Sequence, residues 1–211
     1  MAHGERCTLS RVSREPATGT PLETLASWLE EARHANVLEP EAMALATVGR
    51  DGVPSVRIVL CRGIDAEGVV FYTNYASRKG NELSLNPRAA VVFHWAALGR
   101  QVRLEGAVAK VPAAQSDAYF HSRPHGSQLA ACVSPQSQPI ADLSVLEERK
   151  SKLEVTLGRS EVPRPALWGG YCLRAQAVEL WTAGRDRLHR RVRYDRDLES
   201  GAWGRGQLLA P

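Results

Sequence analysis

Five short apolar segments lie close together in the first half of the chain, and they constrain its fold more than any other feature. One turn between them contains Asp51-Gly52, a pair typical of a tight hairpin. Strands joined by short turns pair in the antiparallel sense, because parallel strands need a long crossover. The spacing therefore predicts an antiparallel meander or barrel rather than alternating βαβ units. The predicted strands are Ala42–Val48, Ser55–Arg62, Val69–Thr73, Ala89–Trp95 and Gln101–Val111.

Helical periodicity surrounds these strands and indicates a mainly β protein with flanking helices, of the α+β class. Leu22, Leu25 and Leu29 recur at helical spacing after Thr20, a good N-cap, and Pro21, a good first helical residue. Further helices are predicted at Ser77–Leu85, Pro112–Phe120, Ser127–Val133 and Leu143–Leu157, and further strands at Tyr171–Trp181, Arg187–Tyr194 and Gly201–Leu208.

Length and composition suit one ordinary globular domain. Residues 1–20 show no periodicity and are predicted to be a mobile arm, whereas residues 21–211 are expected to form a single domain. The net charge of +4 is modest; it suits a ligand that carries phosphates and does not by itself indicate nucleic acid.

The spacing of the cysteines and the lengths of the apolar segments indicate the cellular compartment of the protein. The four cysteines form no CxxC pair and no zinc-type spacing, so no metal site is predicted. No signal-peptide pattern opens the chain and no apolar run reaches membrane-spanning length. A cytoplasmic protein with reduced thiols is therefore expected.

An arginine-rich segment near the C-terminus is the most distinctive local feature. If Arg187–Tyr194 is one strand, alternation places Arg187, His189, Arg191 and Arg193 on a single face. Such a face repels itself unless phosphate or carboxylate binds there, since the guanidinium fork suits both anions. A solvated edge strand that resists aggregation explains the same residues, and both interpretations stay open at this point.

Two further clusters predict anion pockets. Ser77-Arg78-Lys79 opens a predicted helix, where free backbone N–H groups and two cations would bind a monophosphate, with Arg57 closing the pocket. The segment lacks a P-loop and acidic residues for Mg²⁺, and an ordinary capped surface helix is the alternative.

The second cluster follows at Tyr119 and Arg123, which share a face if the helix continues to Arg123, with Ser127 beginning the next turn. A flat ring, a guanidinium fork and a hydroxyl would hold a second small phosphate. The neighbouring His121 and His125 lack the partners of a metal site.

Taken in order, these residues resemble the pyridoxamine 5′-phosphate oxidase family from about residue 21 to the end. Each motif is short, but their order along the chain is specific. The motifs are Arg57-Ile58-Val59-Leu60, Phe71-Tyr72-Thr73-Asn74, Ser77-Arg78-Lys79, Arg100-Gln101-Val102, Tyr119-Phe120-His121-Ser122-Arg123-Pro124, Gln136-Ser137, Trp168-Gly169-Gly170, Trp181, Arg187-Leu188-His189-Arg190-Arg191 and Leu209-Ala210-Pro211.

The resemblance implies a split β-barrel homodimer with FMN bound noncovalently at the subunit interface. The residues implied for FMN are Arg57, Ile58, Val59, Leu60, Tyr72, Thr73, Ser77, Arg78, Lys79, Gln101, Gln136, Ser137, Trp181 and Arg191. Those implied for the substrate are Arg62, Tyr119, Arg123, Ser127, Arg187 and His189, of which the last two are the implied catalytic residues.

The implied reaction moves a hydride from C4′ of pyridoxamine or pyridoxine 5′-phosphate to flavin N5, forming pyridoxal 5′-phosphate. Oxygen then reoxidises the flavin and yields hydrogen peroxide. Because the cofactor supplies the redox chemistry, the absence of a nucleophile signature is expected.

The sequence departs from the family pattern in two places. Arg62 stands where the family usually has Lys, and strict alternation would put Arg57 and Arg62 on opposite faces, which requires a bulge or two subunits. The N-terminal arm also lacks the Tyr that relatives often carry over the substrate.

Three other functions are compatible with parts of this sequence. A phenazine-biosynthesis-type flavin oxidase shares the fold, but should weaken the set formed by Tyr119, Arg123 and Ser127. A non-catalytic module that binds FMN or pyridoxal phosphate has no need for Arg187 and His189. Nucleic-acid binding is disfavoured, because aromatics are not interleaved with the basic residues.

Overall fold

The computed structural model describes residues 19–211, so the arm predicted for residues 1–20 lies outside the described residues apart from its last two. Five α-helices occur in the described chain: α1 Pro21–His34, α2 Arg78–Leu85, α3 Ala113–Ser122, α4 His125–Val133 and α5 Ser144–Leu157. The strands are β1 Ala42–Val48, β2 Pro54–Leu60, β3 Gly63–Ile64, β4 Gly68–Asn74, β5 Arg88–Trp95, β6 Arg100–Lys110, β7 Trp168–Thr182, β8 Arg190–Asp195 and β9 Gln207–Leu209.

All nine strands belong to one antiparallel sheet, which confirms the predicted strand arrangement. The order is β2-β1-β5-β6-β7-β4-β3, with β8 added to β7 and β9 added to β8. β2 contacts β4 although four strands separate them in this order, so the sheet curls towards closure. Curling gives the sheet a concave side that can be filled by a core.

The longest strand, β7, organises the sheet. One edge of β7 pairs with β6 from Tyr171 to Thr182. The other edge is divided, because its first half pairs with β4 and its second half with β8. A bulge between Glu105 and Gly106 interrupts the β6–β7 register and lets the ladder bend.

Two apolar clusters lie against this sheet. The larger contains Phe71, Phe93 and Leu104 from the strands, and Leu25 of α1 covers it. The smaller is built around Phe120 and includes residues of α3, α4 and the start of β7. The smaller cluster fixes the two short helices beside the end of β4.

The predicted starts of α1 and α2 are confirmed by their capping geometry, whereas the helix predicted from Ser127 begins at His125. Thr20 and Glu23 form a reciprocal capping box at α1, with Pro21 as the first helical residue. The Ser77 hydroxyl accepts a hydrogen bond from the Gly80 amide at the start of α2. Among the described helices, none has the length and apolarity needed to cross a membrane.

Three strand predictions need correction. The predicted strand Arg187–Tyr194 begins only at Arg190, because residues 185–187 form a tight 3₁₀ turn with positive φ at Asp186 and Arg187. The predicted strand Gly201–Leu208 is reduced to β9, with a single bridge at Trp203. The strand predicted to reach Arg62 ends at Leu60.

The end of β2 resolves the conflict between the two arginines of this segment. Arg57 lies within the strand, whereas Arg62 lies beyond it in the connection to β3, where its side chain is exposed. Strict alternation therefore does not apply between them.

We expect Gly106→Ala to lower the free energy of unfolding by about 3 kcal/mol, because an added Cβ would meet the Arg174 carbonyl oxygen at 1.9 Å. Gly126→Ala is the control. Gly126 lies within helix α4, and an added Cβ there would meet only the end of the flexible Lys150 side chain, with its ammonium at 3.4 Å. The control should be neutral or stabilising. Denaturant unfolding of both variants measures the difference, and equal stabilities would contradict the close approach.

Candidate functional site

The start of α2 holds a buried lysine among neutral oxygen atoms. The Lys79 ammonium donates to Thr73 Oγ1 at 3.0 Å, to Gln136 Oε1 at 3.1 Å and to Ser77 Oγ at 3.4 Å. Thr73 also donates to Gln136 at 3.0 Å. Four residues predicted to bind one cofactor are therefore brought together, although Gln136 is far from the others in sequence.

The electrostatics of this cluster favour an added anion. Burial, followed by the nearby positive charge of Arg57, lowers the pKa of Lys79 from 10.5 to about 8, against a smaller opposing effect of Glu82. No described carboxylate forms a salt bridge with the ammonium. A phosphate would supply the missing negative charge, and Ser77 places it at a helix N-terminus.

A buried carboxylate, Glu82, lies behind this cluster and was missed by the sequence reasoning. Its Oε2 atom accepts from Ser55 and from the Arg57 guanidinium at 3.2 Å, and its Oε1 atom accepts from Arg78 at 2.9 Å. The spacing of Arg78 and Glu82 by four positions on one helix was the available signal.

Glu82 therefore engages Arg57, which was predicted to close the anion pocket. The Arg57 guanidinium also donates to the Leu45 carbonyl and to Thr47. Most of its donors are used within the protein, so in this structure its contribution to the pocket is its charge. Of the residues that follow it in β2, Ile58 is exposed and Val59 and Leu60 are half-buried.

The second predicted pocket is built from stacked rings. The Tyr119 ring lies 4.0 Å from the Tyr72 ring in a stacked arrangement, and both are nearly parallel to Trp168. The Arg123 guanidinium lies over Trp168 at 4.7 Å and near Phe120 at 5.7 Å. These contacts join a residue predicted for the cofactor to two predicted for the substrate.

Tyr119 and Arg123 do not meet through helical periodicity as predicted. The helix α3 ends at Ser122, and Arg123 has extended backbone with φ −76° and ψ 153°. The rings of Phe120 and Trp168 bring Arg123 towards Tyr119 instead. Ser127 lies in the first turn of α4 and is half-buried.

Arg123 carries a donor that nothing in the described residues satisfies. Its Nη1 atom is buried and has no hydrogen-bond partner there. Burial lowers the pKa of Arg123, and the positive charge of Arg62 contributes to the same effect. An orphaned donor on a desolvated cation fits an anionic ligand.

A third group lies at the far end of the sheet. Gln101, Trp181 and Arg191 occupy one row across β6, β7 and β8. The His189 ring packs on Trp181 at 4.7 Å, and its Nδ1 accepts from the Gly184 amide at 3.2 Å. In the neutral imidazole this bond leaves the proton on Nε2.

The prediction of a four-residue cationic face is wrong. Arg187 and His189 lie outside β8, because the chain turns at residues 185–187. Arg191 forms a two-point pair with Glu179, at 3.1 Å and 3.0 Å, and donates to the Ala210 carbonyl at 3.1 Å. Arg193 pairs with Asp195. Carboxylates of the protein therefore pair with Arg191 and Arg193, the two members of the predicted face that lie in β8.

The two ends of β7 separate the candidate residues into two half-sites. Thr73 pairs with Gly169, whereas Gln101 pairs with Trp181. These β7 positions lie twelve residues apart, which corresponds to about 40 Å of strand at about 3.3 Å per residue. A mononucleotide does not span that distance, so within one chain the half-sites do not form one pocket.

Two surface cavities of the described chain are lined by none of the predicted site residues. One of about 430 Å³ is bordered by His121, His125 and Glu161, and one of about 450 Å³ lies on the sheet near Arg88 and Arg193. In the first cavity His121 lies 3.0 Å from Glu161, and in the second Arg193 pairs with Asp195.

Sequence comparison assigns nearly the whole chain to one family. Residues 29–155 match the model described as pyridoxamine 5′-phosphate oxidase, and residues 168–211 match the pyridoxine 5′-phosphate oxidase C-terminal dimerisation region. Pyridoxine/pyridoxamine 5′-phosphate oxidase of Salinibacter ruber is 48% identical over 195 residues, covering 92% of this chain and 91% of that protein. The protein of the same name from Bordetella avium is 50% identical, with coverages of 89% and 88%.

Structural comparison confirms the predicted split-barrel fold. PhzG from Burkholderia lata, solved with tetrahydrophenazine-1-carboxylic acid, matches with a TM-score of 0.84 and 35% identity, covering 90% of this chain and 92% of that one. A pyridoxamine 5′-phosphate oxidase-related, FMN-binding protein from Nostoc punctiforme matches with a TM-score of 0.72 and 16% identity, covering 92% and 100%. The second similarity concerns the fold alone.

Glu82 generates a pH-dependent stability. Burial alone would raise its pKa, but hydrogen bonds from Ser55, Thr47, Arg78 and Arg57 outweigh burial and lower the pKa from 4.5 to about 2. A lowered pKa stabilises the fold above pH 4.5, and this contribution is lost as the pH falls towards 2. At pH 7 we expect Glu82→Gln to cost about 2–3 kcal/mol, and the cost should shrink between pH 4.5 and 2.

Urea unfolding at pH 7, 4.5 and 3 measures this difference. Glu148→Gln is the matched control, because it removes an exposed pair with Lys152 on α5 and should change stability little at any pH. A Glu82→Gln cost that stays constant with pH would contradict the lowered pKa.

Proposed function

The chain belongs to the pyridoxamine 5′-phosphate oxidase family, an enzyme family, and from this membership we propose that it oxidises pyridoxamine or pyridoxine 5′-phosphate to pyridoxal 5′-phosphate. The proposed cofactor is FMN, and the proposed electron acceptor is O₂, which takes up two electrons and two protons to become hydrogen peroxide. Pyridoxine 5′-phosphate gives the aldehyde directly, whereas pyridoxamine 5′-phosphate gives an imine that water hydrolyses with release of ammonia.

One observation carries the proposal: the buried Lys79 and the half-buried Arg123 have no carboxylate partner among the described residues. Lys79 has only neutral acceptors, and Arg123 has an unsatisfied donor among the described residues. Tyr72 and Tyr119, stacked at 4.0 Å, connect the two groups. Two separate anion sites of this kind suit two phosphates, one on the cofactor and one on the substrate.

The residues around Lys79 fit the phosphate of FMN. Lys79, Thr73, Ser77 and Gln136 would hold it at the start of α2, where the free N–H groups of the helix favour negative charge. When bound, FMN supplies the hydride acceptor for the reaction. The chain then has to bind, orient and shield the reacting groups.

The residues around Arg123 would bind and orient the substrate. The Arg123 guanidinium and the hydroxyls of Tyr119 and Ser127 would hold its phosphate, which fixes the distance of the pyridine ring from that anchor. Arg62, exposed beyond β2, adds positive charge near Arg123. With a planar fork, Arg62 can donate two bonds to phosphate where Lys donates as a point charge.

Arg187 and His189 would complete the site from a second copy of the chain. Their half-site lies about 40 Å along β7 from the Thr73 position, so they cannot reach a substrate held by Arg123 of the same chain. His189 is held by Trp181 and by the Gly184 amide, which leaves its Nε2–H free to orient a ligand.

A homodimer is therefore part of the proposal. The match of residues 168–211 to a dimerisation region supports it. Large apolar side chains are also exposed where a partner would cover them, including Val56 and Ile58 on β2 and Leu208 on β9.

A second candidate is a flavin oxidase of the phenazine type. The similarity to PhzG, solved with a tetrahydrophenazine carboxylic acid, favours this alternative. The higher identity to the pyridoxine/pyridoxamine phosphate oxidases and the presence of Tyr119, Arg123 and Ser127 favour the first function. The two differ in whether the substrate carries a phosphate.

We expect the purified dimer, loaded with FMN, to convert pyridoxamine 5′-phosphate and O₂ into equal amounts of pyridoxal 5′-phosphate and hydrogen peroxide. Replacing both Arg187 and His189 by Ala should lower kcat/KM at least about a hundredfold, because substrate orientation is lost. Flavin binding should persist in this variant. FMN binding without turnover of either B6 phosphate would favour the phenazine-type function or a binding module, and absence of FMN binding would overturn the proposal.

The lowered pKa of Lys79 predicts how FMN affinity depends on pH. As the pH rises through about 8, the free protein loses the Lys79 proton, and the affinity for the FMN phosphate should fall. The phosphate itself stays dianionic in this range, since its second pKa is about 6.

Titration of the apoprotein with FMN between pH 7 and 9.5, followed by flavin fluorescence, measures this dependence. Lys79→Arg keeps its charge throughout and should flatten the profile, whereas Lys79→Met should bind FMN weakly at every pH. Identical pH profiles for the wild type and Lys79→Arg would contradict the assignment.

A further inference from the structure

Trp168 lies at the centre of a cluster formed with Tyr72, Tyr119 and Arg123. Its side chain is 6% exposed, and its indole is nearly parallel to the Tyr72 ring at 5.5 Å and to the Tyr119 ring at 6.2 Å. The Arg123 guanidinium lies over the same indole at 4.7 Å. One side chain therefore packs against two tyrosine rings and the Arg123 guanidinium, and also against the Phe120 ring at 5.1 Å.

Arg123 needs such a support because its guanidinium is half-buried, with Nη1 fully buried, and has no carboxylate partner among the described residues. The acid on the preceding helix α3, Asp117, pairs with Arg164, whose Nε atom lies 2.5 Å from the carboxylate. Burying an unpaired cation is costly, and the negative face of an aromatic ring offsets part of this cost.

An aromatic face and a carboxylate differ in whether they leave the hydrogen-bond donors of a guanidinium available for a ligand. A carboxylate would neutralise the guanidinium and occupy its donors, as Glu179 does for Arg191. The indole is neutral and its ring face offers no carboxylate oxygen to the guanidinium. The Nη1 donor of Arg123 has no hydrogen-bond partner among the described residues.

The indole itself is rigidly placed. Trp168 is the first residue of β7 and pairs with Asn74 of β4. Its carbonyl accepts from Arg164 at 2.6 Å, and its amide donates to Pro165 at 2.9 Å. The backbone of the sheet thus fixes the surface on which Arg123 rests.

We propose that Trp168 is a positioning residue for the substrate phosphate: its indole face holds Arg123 and aligns Tyr119 while leaving the guanidinium unneutralised. This inference rests on the proposed function, because it takes the anion bound by Arg123 to be the phosphate of a pyridine substrate. Trp168 acts through Arg123 and Tyr119 and does not itself touch the substrate phosphate.

The variant Trp168→Leu keeps an apolar side chain but removes the aromatic face. We expect its KM for pyridoxamine 5′-phosphate to rise about tenfold with kcat changed less than about twofold, since binding rather than the reacting centre is affected. Trp168→Phe retains a smaller aromatic face and should restore much of the loss. FMN affinity should be unchanged in both variants.

A double-mutant cycle with Arg123→Leu separates positioning from simple core packing. If Trp168 acts through Arg123, then Trp168→Leu should have little effect on substrate KM once Arg123 is gone. Independent effects of the two substitutions, or a loss of kcat alone, would overturn the proposal. Failure of Trp168→Phe to recover affinity while it folds and binds FMN would overturn it as well.

Trp28 provides a matched control. Trp28 lies on α1, and its ring centre is 4.6 Å from the guanidinium of Arg100 on β6. Neither residue belongs to α3 or α4. Trp28→Leu removes a similar cation–π contact and should leave KM unchanged.

Equilibrium binding of pyridoxal 5′-phosphate, compared with unphosphorylated pyridoxal, tests the inference without turnover. The inference is supported if the substitutions at Trp168 and Arg123 lower the affinity for pyridoxal 5′-phosphate in a coupled way and leave the affinity for pyridoxal unchanged. This result would support it even if no oxidation occurred, in which case only the proposed function fails. Turnover without such coupling would overturn the inference and leave the function standing. Wild-type protein that binds both ligands equally would overturn the inference.

Discussion

The hydrogen-bonded ladder between β6 and β7 is the constraint on which the rest of the structure depends. β7 carries Trp168 at its start and Trp181 near its end, and its second edge is shared between β4 and β8. A paired strand of this length cannot fold back on itself, so the residues at its ends stay apart. The geometry of one strand thus divides the candidate residues into two half-sites, which the proposed homodimer would unite.

The placement of carboxylates distinguishes two kinds of arginine and lysine in this protein. Glu179 and Glu82 are buried, and they pair with Arg191 and Arg57 at short distance. Lys79 is buried among neutral oxygens, and the half-buried Arg123 guanidinium lies against an aromatic face. Hydrogen bonds within the protein occupy most donors of the two paired arginines. The cations without a carboxylate partner among the described residues are therefore those suited to bind anions.

Strand bounds and helix caps could be predicted from the sequence. The strand predicted at Ala42–Val48 is found with the same bounds, and Ser77 caps its helix as expected. Prediction failed at Arg187, where alternating residues continue but the backbone enters the left-handed region. No feature of the residue types there favours that conformation over a strand, so periodicity extended the strand too far.

The sequence by itself determined the antiparallel strands, the helix caps, the residue types of the site and the family. The tertiary structure decided which cations stay unneutralised, that Trp168 supports Arg123, and that the half-sites lie at opposite ends of β7. The physical reason is the range of the interactions. Caps and alternation depend on residues a few positions apart, whereas the Arg57–Glu82 bond joins residues 25 positions apart, and only the folded sheet brings such pairs together.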